Sequence, residues 1–133
     1  MKLTVVATLP FAESECLVRF ESRYGAGTVR WARSRDAPLA ETYDVEWDFD
    51  PSKASYRLEA APTSSVLGFS TTDGDLALCA DVEAVDDDGV ATLRVAVDFL
   101  MIVDLPALVE KTGCRMLLRA PAECFKVTPF GCP

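Results

Sequence analysis

Four carboxylates, Asp44, Glu46, Asp48 and Asp50, alternate with the large apolar residues Tyr43, Val45, Trp47 and Phe49. Carboxylate oxygens are hard ligands suited to calcium or magnesium, and they are also the groups that meet a basic protein surface. Successive side chains of a strand point to opposite faces, so this segment predicts one acidic and one apolar face. Acids two apart on a strand stand about 6–7 Å apart by strand rise, too far to converge on one ion unaided. The segment also lacks the central glycine and distant glutamate of an EF-hand loop. No metal is expected there. Mutual repulsion along the acidic face calls instead for cations, either a basic partner or bases of the chain itself.

Asp86, Asp87 and Asp88 precede Gly89. Their carboxylates resemble calcium ligands in type, but Asp-Gly is a hairpin-turn signal, and the acids are expected at its tip, adding to a partner-binding surface. Asp98 lies among Val97, Phe99 and Leu100, the one acid in a strongly apolar neighbourhood. Such a setting could raise its pKa for proton donation in a pocket, as one half of a glycosidase pair, or it could mark a bulge or an arginine partner. The five cysteines (16, 79, 114, 124, 132) are odd in number and lack C-x-x-C spacing. They read as reduced thiols, structural and buried at Cys16, Cys79 and Cys114, with a disulfide among Cys114, Cys124 and Cys132 open only for an exported chain. A four-cysteine zinc site would want closely spaced pairs. Histidine is absent, which removes the commonest general base, the commonest zinc ligand and both usual triads. Gly25-Ala26-Gly27 lacks the lysine of a phosphate cradle. No catalytic residue and no cofactor is expected.

The elements that must position these groups are mostly strands. With 133 residues and half of them apolar, the chain predicts a single globular domain over 1–133. Strands are expected at 2–8, 28–32, 42–49, 55–60, 65–72, 76–85, 90 to about 103, 114–118 and 124–128. A helix is the preferred reading of 10–24, where Cys16, Leu17, Phe20 and Tyr24 fall on one stripe and Gly25 closes it. The alternation of Cys16, Val18 and Phe20 makes a strand its competitor. Asp104-Leu105-Pro106 predicts the start of one short helix near 106–112. The apolar run 99–103 suits a buried strand. The fold class expected is β-rich α+β: a mainly antiparallel, strongly twisted sheet, open to closing as a small OB-like barrel, with an N-terminal helix and one short helix. Strand 55–60 is expected to form a hairpin with 42–49, which would bring Lys53 and Arg57 to the acidic face.

The net charge of −8, from 21 acids and 13 bases, argues against nucleic acid and anionic membranes as partners. No segment reads as a signal peptide or membrane span, so a cytoplasmic protein is expected. Arg19, Arg23, Arg30, Arg33 and Arg35 precede the acidic ladder, and a second acidic stretch runs from Asp73 to Asp88. If the two acidic stretches meet in space they form a patch for a basic protein; if the arginines fold over the ladder, it is neutralised within the chain. The reading preferred is a non-catalytic acidic binding protein, most concretely a bacterial immunity-type protein capping a basic, nucleic-acid-acting toxin. The competitors are a small-ligand barrel or weakly marked enzyme with a pocket at Asp98, and a subunit whose acidic strand pairs with its own copy.

Overall fold

The computed structural model describes residues 1–12, 15–32 and 41–130. Its first strands settle the period of the N-terminal segment. β1 (Lys2–Ala12), β2 (Glu15–Ser22) and β3 (Gly25–Trp31) form an antiparallel meander. In β2, Cys16, Val18 and Phe20 are buried, while Arg19 is exposed. Among the described residues the N-terminal helix expected over 10–24 is therefore absent. The helical stripe and the strand face share Cys16 and Phe20, and Val18 decides between them. It is β-branched and lies opposite Val29 of β3, a partner that only the folded sheet supplies.

β4 (Thr42–Phe49) and β11 (Phe125–Pro129) complete a closed barrel of five strands in the order β1-β2-β3-β11-β4. β4 returns to β1 through Lys2↔Asp44, Leu3↔Tyr43 and Thr4↔Thr42. All pairs are antiparallel except β3–β11, where Lys126 meets Arg30 and Val127 meets Trp31. Closure leaves the barrel without a free edge. Val45, Trp47 and Phe49 point inward and are buried, Tyr43 is half-buried, and Asp44, Glu46 and Asp48 point outward.

Residues 50–124 are inserted between the last two barrel strands and form a second sheet. β5 (Arg57–Ala60), β6 (Gly68–Thr72), β7 (Asp75–Val85), β8 (Val90–Ala96), β9 (Phe99–Asp104) and β10 (Arg115–Pro121) assemble as β9-β8-β7-β10-β5, with β6 also on β7. β9 joins the barrel beside β4, in parallel, at Asp48↔Ile102. Three local expectations fail here. β5 pairs with β10, not with β4, because β4 is already flanked by β11, β1 and β9. The strand expected from 90 to 103 is a hairpin, β8 and β9 joined by a turn at Val97-Asp98. The short helix expected near 106–112 shrinks to a 3-10 turn, Pro106–Leu108, preceded by Leu105 with no side-chain cap. Val109 leaves helical geometry at ψ 133°, so too few residues remain to offset helix nucleation. The described chain is nearly all β, 65% strand with no helix of seven residues or more, so the α+β class gives way to an all-β one.

Aromatic packing binds the sheet to the barrel. Trp47 stacks on Phe69 of β6 at 4.4 Å between ring centroids, and Phe20 meets both edge-on at 5.3 and 5.4 Å. Phe99 of β9 stacks on Phe69 at 5.5 Å. Beside this cluster the turn before β3 crosses the start of β6. The Phe69 amide donates to the Tyr24 carbonyl at 2.6 Å. A side chain at Gly68 would strike that carbonyl, and one at Gly25 would strike the Phe69 carbonyl, each at 2.3 Å.

Candidate functional site

The acidic strand does face outward, and Asp44 and Asp48 lie beside two bases that were not expected there, Lys2 and Lys126. Lys2 of β1 donates to Asp44 at 3.1 Å, an exposed pair of little energetic weight. Lys126 of β11 lies directly across from Asp48. Asp50 sits in the following turn, where its carboxylate accepts the Ser52 hydroxyl at 2.6 Å and the Ser52 amide at 2.9 Å. Those bonds, the hydroxyl's foremost, hold the Asp50 carboxyl below the usual aspartate range. Glu46 and Asp48 remain as exposed acids of the outer face. Of the expected neutralising bases, Arg57 lies opposite Arg119, away on β5. Lys53 acts on Asp50 as a minor charge. Arg19 is exposed on β2, Arg23 lies 5.7 Å over the Tyr24 ring, and Arg30 is buried and, like Lys53, acts on Asp50 as a minor charge. Arg33 and Arg35 lie outside the described residues.

The second acidic stretch is largely paired from within. Arg119 reaches Asp75 at 3.2 Å and Asp73 at 3.4 Å. Arg115 forks onto Asp81 at 2.8 and 3.1 Å, and Arg94 onto Glu83 at the same distances. These arginines come from β8 and β10, far along the chain, so the stretch looked base-free only in sequence. At the hairpin, Asp86 accepts the amides of Asp88 (2.9 Å) and Val90 (3.0 Å), a turn-building role. Asp87 and Asp88 are exposed at the tip. Val90 pairs with Asp104, and β9 runs parallel to β4, so the tip, Asp104 and Asp50 share one end of the sheet.

The apolar run 99–103, expected to be buried throughout, alternates instead. Phe99, Met101 and Val103 are core, but Leu100 is 43% and Ile102 51% exposed. β9 covers the core on one side only. Ile102 lies beside Asp48, and the same register sets Leu100 beside Glu46. Acids and aliphatic side chains thus alternate across two neighbouring strands of one outer face. Sequence reasoning missed Leu100 and Ile102, since an unbroken apolar run does not reveal which members face water.

At the end of this face lies a pocket of about 460 Å³. Its floor includes Trp47 and Phe99, and its rim carries Glu46, Asp98, Leu100 and Phe130. The acidic strand and Asp98, alternatives in sequence, therefore border one cavity. Asp98 occupies the β8–β9 turn and accepts the Tyr24 hydroxyl. That bond holds its carboxyl below the usual range and pushes the Tyr24 phenol up. A general acid needs the opposite shift, so the expected raised-pKa acid is not what the geometry builds. A larger pocket of about 630 Å³ lies over the row Glu59, Leu117, Cys79 and Gly68 on the inserted sheet. Arg115 pins its overhanging segment through the Thr63 and Ser65 carbonyls at 2.8 and 2.6 Å. Burial pushes the Cys79 thiol up, away from nucleophilic use.

Cys16, Cys79 and Cys124 are buried, and Cys114 is exposed where burial was expected, because it follows the turn that leads into β10. Cys132 lies outside the described residues. Among the described residues no three His, Cys, Asp or Glu side chains converge as a metal site, and no helix is long and apolar enough to cross a membrane. The chain matches no family model, no curated protein and no solved structure.

Proposed function

We propose that the chain is a non-catalytic binding domain that receives a basic protein on the outer face of β4 and β9. One observation carries the reading: exposed Glu46 and Asp48 stand beside exposed Leu100 and Ile102 on a single face. Aliphatic side chains supply contact area that excludes water, and the acids steer and orient a cationic partner. The most concrete partner is a toxin acting on nucleic acid, whose phosphate-binding site must be basic. The chain would then act as an immunity-type protein in a bacterial cytoplasm, capping that site. The hairpin acids Asp87 and Asp88, at the Asp50 end of the sheet, would extend the same field.

The rival reading, a small-ligand pocket at Asp98, draws support from the cavity itself, but the lowered Asp98 pKa favours its use as a fixed anion over proton donation. The test uses two variants. Glu46→Gln/Asp48→Asn should slow association and flatten its salt dependence. Leu100→Ser/Ile102→Ser should speed dissociation instead. A partner captured equally well by both variants and by wild type would defeat the proposal.

A further inference from the structure

We infer that the pocket between Trp47 and Asp98 seats one long cationic side chain of the partner, an arginine in the first place. This rests on the reading above and adds the point where the partner's charge enters. The cavity, about 460 Å³, lies within the usual range for ligand pockets and is too small for an element of structure such as a helix. Among the described residues, Glu46, from β4, and Asp98, from the β8–β9 turn, are the charged side chains that line it, with the Met1 amino terminus beside them. The floor is apolar, built from the small exposed edges of Trp47 and Phe99, 3% and 2% exposed, whose rings are already packed against Phe69. Leu100 and Phe130, 43% and 55% exposed, stand at the rim where the methylene stem would lie. A planar fork of donors can serve two carboxylates at once, which favours arginine over lysine.

Tyr24 is a positioning residue in this arrangement. Its hydroxyl occupies one of about four lone-pair sites on the Asp98 carboxylate, and Asp98's own backbone amide takes another, so about two remain for an incoming donor. The Met1 amino group also acts on Asp98, more weakly than Tyr24 does, so a bound guanidinium would share that carboxylate with it.

The experiment titrates the full chain with N-acetylarginine amide and with its uncharged isostere, N-acetylcitrulline amide. Proton–nitrogen correlation spectra follow the Trp47 indole and the amides of 97–100. Arginine should shift these signals saturably, and citrulline should bind at least about tenfold more weakly. Glu46→Gln and Asp98→Asn should each weaken the arginine probe by about tenfold, the scale of one charge-assisted hydrogen bond, and Tyr24→Phe by less. Equal responses to both probes, or indifference to Glu46→Gln and Asp98→Asn, would overturn the inference. A decaarginine peptide separates the two levels. If it binds in a salt-dependent way and is weakened by Asp44→Asn/Asp48→Asn while the Trp47 indole stays silent, the pocket fails and the face stands. If neither probe binds, both fail.

Discussion

Gly68→Ala should be among the most damaging small substitutions in the chain. Gly68 has φ +133°, a conformation that side chains rarely adopt, at a strain of about 1–3 kcal/mol. Its new methyl would also lie 2.3 Å from the Tyr24 carbonyl oxygen, a backbone atom that cannot swing aside. Relief requires the β2–β3 turn and β6 to separate, an overpacking cost of about 1–3 kcal/mol. It also breaks the 2.6 Å bond from Phe69 to that carbonyl, about 1 kcal/mol more. The sum, about 3–7 kcal/mol, compares with a typical total stability of about 5–15 kcal/mol. Gly74→Ala is the control: φ there is +83°, but the added methyl meets nothing within 4 Å, so strain acts alone. Gly25→Ala attacks the same crossing from the other side. Once one methyl has separated the strands, the second should cost less, so the double variant should fall short of additivity by about 1–3 kcal/mol. Urea unfolding followed by tryptophan fluorescence gives each value. The reasoning is refuted if Gly68→Ala costs no more than Gly74→Ala, or if the double variant is additive.

Two further expectations concern titration and thiols. Asp98 and Asp50 have lowered carboxyl pKa values, so their stabilising contributions are complete above about pH 4 and vanish as pH falls through the depressed values. Tyr24 has the opposite sign: its contribution is complete below about pH 10 and is lost as pH rises through the elevated value. Tyr24→Phe should remove that alkaline loss and soften the acid one in a profile of Tm against pH; superimposable profiles would refute the Tyr24–Asp98 assignment. In a Cys132→Ser background, a native-state thiol reagent should modify Cys114 fast and leave Cys16, Cys79 and Cys124 protected by burial. Rapid reaction of a buried thiol would contradict the packing.

Where strand patterns stood alone, they were legible. Val45, Trp47 and Phe49 are core, and the Asp86–Gly89 turn closes β7 onto β8. The errors arose where a distant segment decides. β2 reads as helix or strand until Val29 stands opposite Val18. β5 looks like the natural partner of β4, yet its hydrogen bonds go to β10, from the far end of the insertion. The candidate site divides in the same way. Its acids were visible because alternation exposes them, whereas Leu100 and Ile102 were hidden in a uniformly apolar run, and the arginines that neutralise Asp73 to Glu83 arrive from β8 and β10.

The placement of β11 has a consequence for biosynthesis. Four barrel strands are translated by residue 49, but the one that fits between β3 and β4 follows only after the whole inserted sheet, at residues 125–129. Until then the barrel has two unpaired edges, and its closure awaits contacts of long sequence separation, which fold slowly. The inserted sheet can form its own hairpins while still attached to the ribosome. The proposed docking face cannot be finished before β11 emerges, because Lys126, opposite Asp48, and Phe130, whose amide bonds to the Asp44 carbonyl, come with the late strand. A nascent or prematurely terminated chain would thus present the acidic ladder without its frame, and competence to bind would report that synthesis had passed β11.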